Sequence, residues 1–184
     1  MRKSLIACGA LAFVVAALPL GGPSDLDGLV RAHAQSASSG VYYHDQSGTA
    51  LSGAASEAAR QLASRRLGFT MRLPSWWPAG TDLRALWVMD RHTPRFAVLY
   101  YGDGNGYITC QLHESIKGVS VALRWATATP IAVGAAQGTL LQSNIGGANP
   151  VSEIVWRLHG VRYDLLGSTG ASLATVLDMA TSLQ

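Results

Sequence analysis

Ile154-Val155-Trp156-Arg157-Leu158-His159-Gly160-Val161-Arg162-Tyr163-Asp164-Leu165 is the stretch that decides the fold. Apolar residues recur at every second position on either side of His159-Gly160, and a two-residue turn there pairs Leu158 with Val161, Trp156 with Tyr163 and Ile154 with Leu165. All six then share one face, while Arg157, Arg162 and Asp164 take the other. A slip of one residue would carry the whole apolar set into water, so the pattern specifies an antiparallel ribbon with one wetted side. A second hairpin is expected around Gly102-Asp103-Gly104-Asn105-Gly106. Pairing Tyr101 with Tyr107 there aligns Phe96, Val98 and Tyr100 with Leu112, Cys110 and Ile108 on one apolar face.

Outward from these hairpins, further strands are expected over Leu83 to Met89, Ile131 to Val133 and Gly138 to Ser143, with turn signals at Thr93-Pro94, Lys117-Gly118 and Gly134. Phe69, Met71 and Leu73 alternate with Thr70 and Arg72, so an extended run is expected up to Pro74. Before it the period is helical: Leu51, Ala55, Ala58 and Leu62 recur on one side, Ser52 is the expected N-cap, and Gly68 follows Arg65-Arg66 as a stop. A closing helix is expected from Leu173, Val176, Leu177, Ala180 and Leu183, with Ser168-Thr169-Gly170 and Ser172 as capping residues. Strands running consecutively between two terminal helices imply an α+β domain over residues 54–184. It is expected to be a curved antiparallel sheet, a meander of hairpins, with the C-terminal helix packed on one face and a short helix at its N-terminal end.

The least ordinary segment is Pro74-Ser75-Trp76-Trp77-Pro78-Ala79-Gly80. Adjacent tryptophans on extended backbone point in opposite directions, so one indole is expected at the surface, where it can anchor a ligand or partner. Trp76 and Trp77 are therefore the candidate binding residues. Trp87 is expected in the core, on one face of its strand with Leu83, Ala85 and Met89.

The order of these motifs is similar to a family of bacterial extracytoplasmic domains of unassigned function that resembles the C-terminal domain of the MucB/RseB periplasmic sigma-factor regulators. Phe69 through Gly80 resembles its opening P-x-x-x-P-x-G stretch, and Tyr101-Gly102-Asp103-Gly104 its Y-x-D-G hairpin. Trp156 through Gly167 resembles its W-x-x-x-G-x-x-Y-x-L-x-G pattern, and Leu173 to Leu183 part of its last helix. The resemblance covers about residues 67 to 184 and rests on glycines, aromatics and prolines that form a fold. It implies a regulatory or binding role outside the cytoplasm and no catalytic residues.

Composition narrows the function further. Met1-Arg2-Lys3 followed by the apolar run Leu5 to Leu20 reads as an export address, with Ala32-His33-Ala34 ahead of Gln35 as a small-x-small cleavage site. Residues 1–34 are thus either a removed signal peptide or a retained anchor that associates with the membrane through residues 4–20. Cys8 lies ahead of most of that apolar run, where a lipoprotein cysteine would not. Residues 35–53, rich in Ser, Gly and Ala, read as a linker. The 150 residues beyond residue 34 are enough for one domain, charged residues are only 14% of the chain, and Cys110 has no cysteine partner beyond residue 34. Arg2, Lys3, Arg31, Asp25 and Asp27 fall in the first 34 residues, which leaves 11 basic and 9 acidic groups and a net charge of +2. The bases are scattered, so nucleic acid is not an expected partner.

Catalytic patterns fail on spacing. Asp103, Asn105 and Glu114 match three positions of a calcium loop, but Tyr107 and Ile108 occupy two others. Cys110 and His113 stand three positions apart, so a strand sends them to opposite faces. There is no Gly-x-Ser-x-Gly, no His-x-x-x-His and no phosphate-cradling glycine loop. No metal or cofactor is expected. The function expected from the sequence is an exported, non-enzymatic binding or regulatory module whose partner is an envelope protein or an apolar ligand. A carrier of an apolar small molecule or lipid is the alternative, and a hydrolase of unknown type the second.

Overall fold

A computed structural model describes residues 32–37, 40–45, 51, 53–105, 107–117, 126–143, 150–168 and 170–183. Residues 1–31 of the export segment, the Ser52 cap and Thr169 lie outside the described residues, whereas Ala32-His33-Ala34, read as the cleavage site, form the first half of β1 and pair with β2. The elements follow in the order β1 (Ala32–Ala37), β2 (Gly40–Asp45), α1 (Ala54–Leu67), β3 (Thr81–Met89), β4 (Phe96–Asp103), β5 (Ile108–Ser115), β6 (Thr127–Val133), β7 (Ala136–Ser143), β8 (Val151–Leu158), β9 (Val161–Gly167) and α2 (Leu173–Thr181). All neighbouring strands are antiparallel, in the spatial order β1-β2-β3-β4-β5-β9-β8-β7-β6. Two meanders thus meet at β5 and β9 in one open sheet, the α+β architecture that the alternation implies.

The β8–β9 hairpin has the register read from its sequence: Leu158 faces Val161, Trp156 faces Tyr163 and Ile154 faces Leu165. Its turn needs positive φ at both central residues, and His159 takes 50° and Gly160 83°. The Trp156 and Tyr163 rings stack with centroids 5.2 Å apart.

Register also defines the core. Tyr43, Leu86, Leu99, Leu112, Leu165, Ile154 and Leu140 stand side by side across seven strands, none more than 7% exposed. Ala59, Ala63 and Leu67 of α1 and Val176, Met179 and Ala180 of α2 belong to the same buried cluster, so both helices cover this face. α1 lies against β3 and β4, and α2 against β8, β9 and β6. Ser172 caps α2, its hydroxyl accepting the Thr175 N–H at 3.1 Å.

Several expectations are corrected. β4 and β5 pair three residues away from the expected register: Leu99 faces Leu112 and Tyr101 faces Cys110, while Phe96, Val98 and Tyr100 face Ser115, His113 and Gln111. The offset comes from a bulge after Tyr101 and from Asp103, whose Oδ1 accepts the N–H groups of Asn105 and Tyr107 and tightens the turn. Every residue from Phe96 to Tyr101 is apolar, so alternation could not choose the face. A second irregularity, between Leu83 and Ala85, sends Leu86 and Val88 to the core side. Trp87 therefore leaves the core face and meets the ring of Tyr42 edge-on at 6.5 Å.

α1 turns Ala55, Ala59, Ala63 and Leu67 inward, leaving Leu62 47% exposed. Three alanines in a row along one face let the helix approach the sheet closely, and Gly53 rather than a capping side chain precedes it. Gly68 stops it as expected, its N–H reaching the Ser64 carbonyl. Residues 69–73, expected to be an extended run, join no strand. Their backbone groups bond instead to side chains: Met71 N–H to Ser64 Oγ, Arg60 to the Met71 carbonyl and Arg72 N–H to Glu114. The residues read as a linker include β2 and half of β1, because Val41 and Tyr43 bury their side chains on the core face.

At the end of β9, Gly167 allows α2 to seat. A methyl group there would stand 2.5 Å from Val176 Cγ2 and 3.2 Å from Ala171 Cβ. Gly167→Ala is expected to lower stability in urea unfolding by about 1–3 kcal/mol through overpacking. Adding Val176→Ala should recover part of that loss, since it removes the clashing methyl.

Candidate functional site

The tryptophan loop is held at both ends by short-range chemistry. Thr81 bonds the Pro78 carbonyl with both its N–H and its hydroxyl, at 3.1 and 2.7 Å, and so fixes the exit into β3. At the entry, the Ser75 N–H and hydroxyl both donate to the Ser182 carbonyl, at 3.3 and 3.0 Å. The Ser182 hydroxyl accepts the Trp76 N–H at 3.3 Å and lies 3.2 Å from the Trp76 carbonyl and 2.8 Å from that of Met179, to one of which it donates. These bonds join positions more than a hundred residues apart, tying the loop to the C-terminal end of α2. They satisfy backbone groups that a helix end and a strand-less loop would otherwise leave to water.

The clamp presents both indoles. Trp76 is 42% and Trp77 38% exposed, so neither is sealed into the core as Trp156 is. Trp77 leans on the Tyr101 ring, with centroids 6.0 Å apart and planes inclined at 39°. Trp76 borders an open groove of about 490 Å³ whose other walls are Ser75, Asp178, Thr181 and Ser182. Asp178 stands in the last turn of α2, where no basic residue accompanies it. Among the described residues its carboxylate has neither a hydrogen bond nor an ion pair.

The sequence singled out Trp76 and Trp77 and missed the helical wall. Asp178, Thr181 and Ser182 carry no motif, and their only signal is that they fall on the polar side of an otherwise apolar helix. What unites them with the loop is a contact across 106 positions, which no local pattern encodes.

Other groups with unusual chemistry are enclosed. Glu114 of β5 is fully buried on the core face, with Oε2 accepting the Arg72 N–H at 3.2 Å and Oε1 unpartnered beside the sheet. Burial pushes its carboxyl up to about 8, and the Arg72 N–H and the charges of Arg60 and Arg72 only partly oppose that rise. The hydroxyls of Tyr101 and Tyr163 are likewise buried without partners. His113, the preceding residue, points to the opposite face, where desolvation holds its imidazole down at about 4. Cys110 is buried with its thiol pushed up to about 11, which makes it a poor nucleophile. Asp103 spends its carboxylate on turn N–H groups while Glu114 faces the core, so the two do not meet as calcium ligands. Among the described residues no three His, Cys, Asp or Glu side chains converge to hold a metal. Nor is any described helix long and apolar enough to cross a membrane.

Comparison of the chain with protein-family models, with curated proteins and with solved structures finds no match.

Glu114 generates a pH prediction. Its folded value near 8 lies above the ordinary 4.5, so the buried acid is neutral where the unfolded chain has already ionised. Its contribution to stability is complete below pH 4.5 and is lost progressively as pH rises to about 8. Glu114→Gln keeps the acceptor for the Arg72 N–H and cannot ionise. Its melting temperature should match wild type near pH 4.5 and exceed it increasingly toward pH 8, by an amount equivalent to a few kcal/mol. A Gln variant less stable than wild type at pH 8 would mean that the carboxylate is ionised and paired there.

Proposed function

We propose that the chain is an exported, non-enzymatic binding or regulatory module whose partner docks on the Trp76–Trp77 loop. The observation that carries this reading is the pair of partly exposed indoles on a loop fixed at both ends. Large aromatic surface held in one conformation gives up little entropy on binding, and tryptophan is enriched among the residues that dominate interface energies. The export address at residues 1–34 supports action outside the cytoplasmic membrane. The resemblance of the loop, the Tyr101 hairpin and the β8–β9 ribbon to extracytoplasmic sigma-factor regulator domains supports a regulatory role, and Trp77 on Tyr101 brings two of those motifs into contact. The partner is taken to be an envelope protein.

Trp76→Ala and Trp77→Ala test the reading through stability and binding together. Full truncation of a core tryptophan costs about 3–5 kcal/mol, whereas these half-exposed rings should cost roughly 1–2 kcal/mol, with Trp77 the larger because of Tyr101. Each should weaken capture of the envelope partner by roughly 2 kcal/mol, about thirtyfold, while the melting temperature falls only by the few degrees that a loss of about 1–2 kcal/mol implies. Losses of stability on the core scale, with binding unchanged, would make the loop structural. Native mass spectrometry finding a stoichiometric lipid would replace the module reading with a carrier.

A further inference from the structure

We propose that the groove beside Trp76 receives an arginine side chain of the partner, its guanidinium stacked on the indole and paired with Asp178. This rests on the reading of the Trp76–Trp77 loop as the binding face and adds the chemistry of what binds there.

Three observations converge on a cation. First, Asp178 is a carboxylate without a partner among the described residues, placed in the last turn of α2 with no basic residue beside it. The C-terminal end of a helix carries partial negative charge and favours cations, so an acid in that turn with no basic residue beside it adds to the negative potential there. Second, the groove that Asp178 lines is bordered by Trp76, and an indole attracts a cation to its ring face through its quadrupole. Third, the remaining wall is made by Ser75, Thr181 and Ser182, the hydroxyls of Ser75 and Ser182 already donate to backbone carbonyls, and among the described residues no positive group lines the site.

Shape selects the source of the cation. A pocket for a free small molecule encloses most of the ligand, but here Trp76 is 42% exposed and Ser75 and Asp178 lie at the surface, so the groove can cover only one side of what enters it. A side chain delivered by a larger partner needs no more enclosure than that, because the rest of the interface excludes water around it. Between the two basic side chains, a planar guanidinium can lie flat on the indole and direct a fork of N–H donors at the carboxylate. A compact ammonium can do only one of these at a time.

The test uses the full chain and a blocked Gly-Arg-Gly peptide, with the citrulline and norleucine peptides as neutral counterparts of polar and apolar character. Binding is read from the indole N–H resonance of Trp76, identified by its loss in Trp76→Phe. The arginine peptide should shift that resonance with at least about tenfold higher affinity than either neutral peptide, an advantage that falls as salt is raised. Asp178→Asn should remove most of the arginine preference while leaving the weak response to norleucine unchanged, and its melting temperature should stay within a degree or two of wild type. Equal binding of all three peptides, or an arginine preference that survives Asp178→Asn, overturns the cation assignment. Those outcomes leave the binding-module reading standing, since that reading depends on the effect of Trp76→Ala on the envelope partner.

Discussion

β5 and β9 come from meanders that would otherwise be separate sheets, and their six-residue ladder from Cys110↔Gly167 to Ser115↔Arg162 makes one surface of them. The core row depends on that seam, because Leu112 and Leu165 are its middle members and each is fully buried only with the other beside it. The helices depend on it too. α1 covers the β3–β4 side and α2 the β8–β9 side, so their apolar faces share a core only if the two halves are continuous. The ladder joins positions 47 to 57 residues apart, and closing such a loop is an entropic cost that buried apolar area must offset.

The candidate site is a second consequence of the same seam. The tryptophan loop enters β3 and belongs to the first half, while Asp178, Thr181 and Ser182 end the helix of the second. Pairing of β5 with β9 brings these ends within hydrogen-bond distance, and Ser182 then accepts from the loop through both its hydroxyl and its carbonyl. A groove built this way has walls from both halves, so its shape reports whether they are joined.

β5 also shows how sharply a sheet separates environments. Glu114 and His113 are consecutive, yet the acid is held neutral on the core side and the base is held neutral on the other, each by loss of water rather than by a charged neighbour. Their effects on stability oppose each other over the mildly acidic range, where one loses stability as pH rises and the other as pH falls. Asp164, opposite His113 in the ladder, takes the different course of keeping a charged partner, Arg162, at 2.9 Å.

The sequence by itself determined most of the elements beyond residue 53 and one hairpin in full. Alternation on both sides of His159-Gly160 fixed the β8–β9 register because polar residues marked one face and a two-residue turn left no freedom in the offset. It also determined the α+β class and drew notice to Trp76 and Trp77 through the prolines around them. Where both faces of a strand are apolar, as from Phe96 to Tyr101, periodicity carries no information about side, and the bulges after Tyr101 and Leu83 decided the register of β4–β5 and the outward turn of Trp87. Likewise only the packed sheet selected Leu67 over Leu62 as the buried leucine of α1, since an alanine-rich helix has no strong apolar stripe of its own. The strand order and the Ser182 clamp were beyond any local reading, because they are contacts between distant segments whose free energy arises only when the two meanders close on one core.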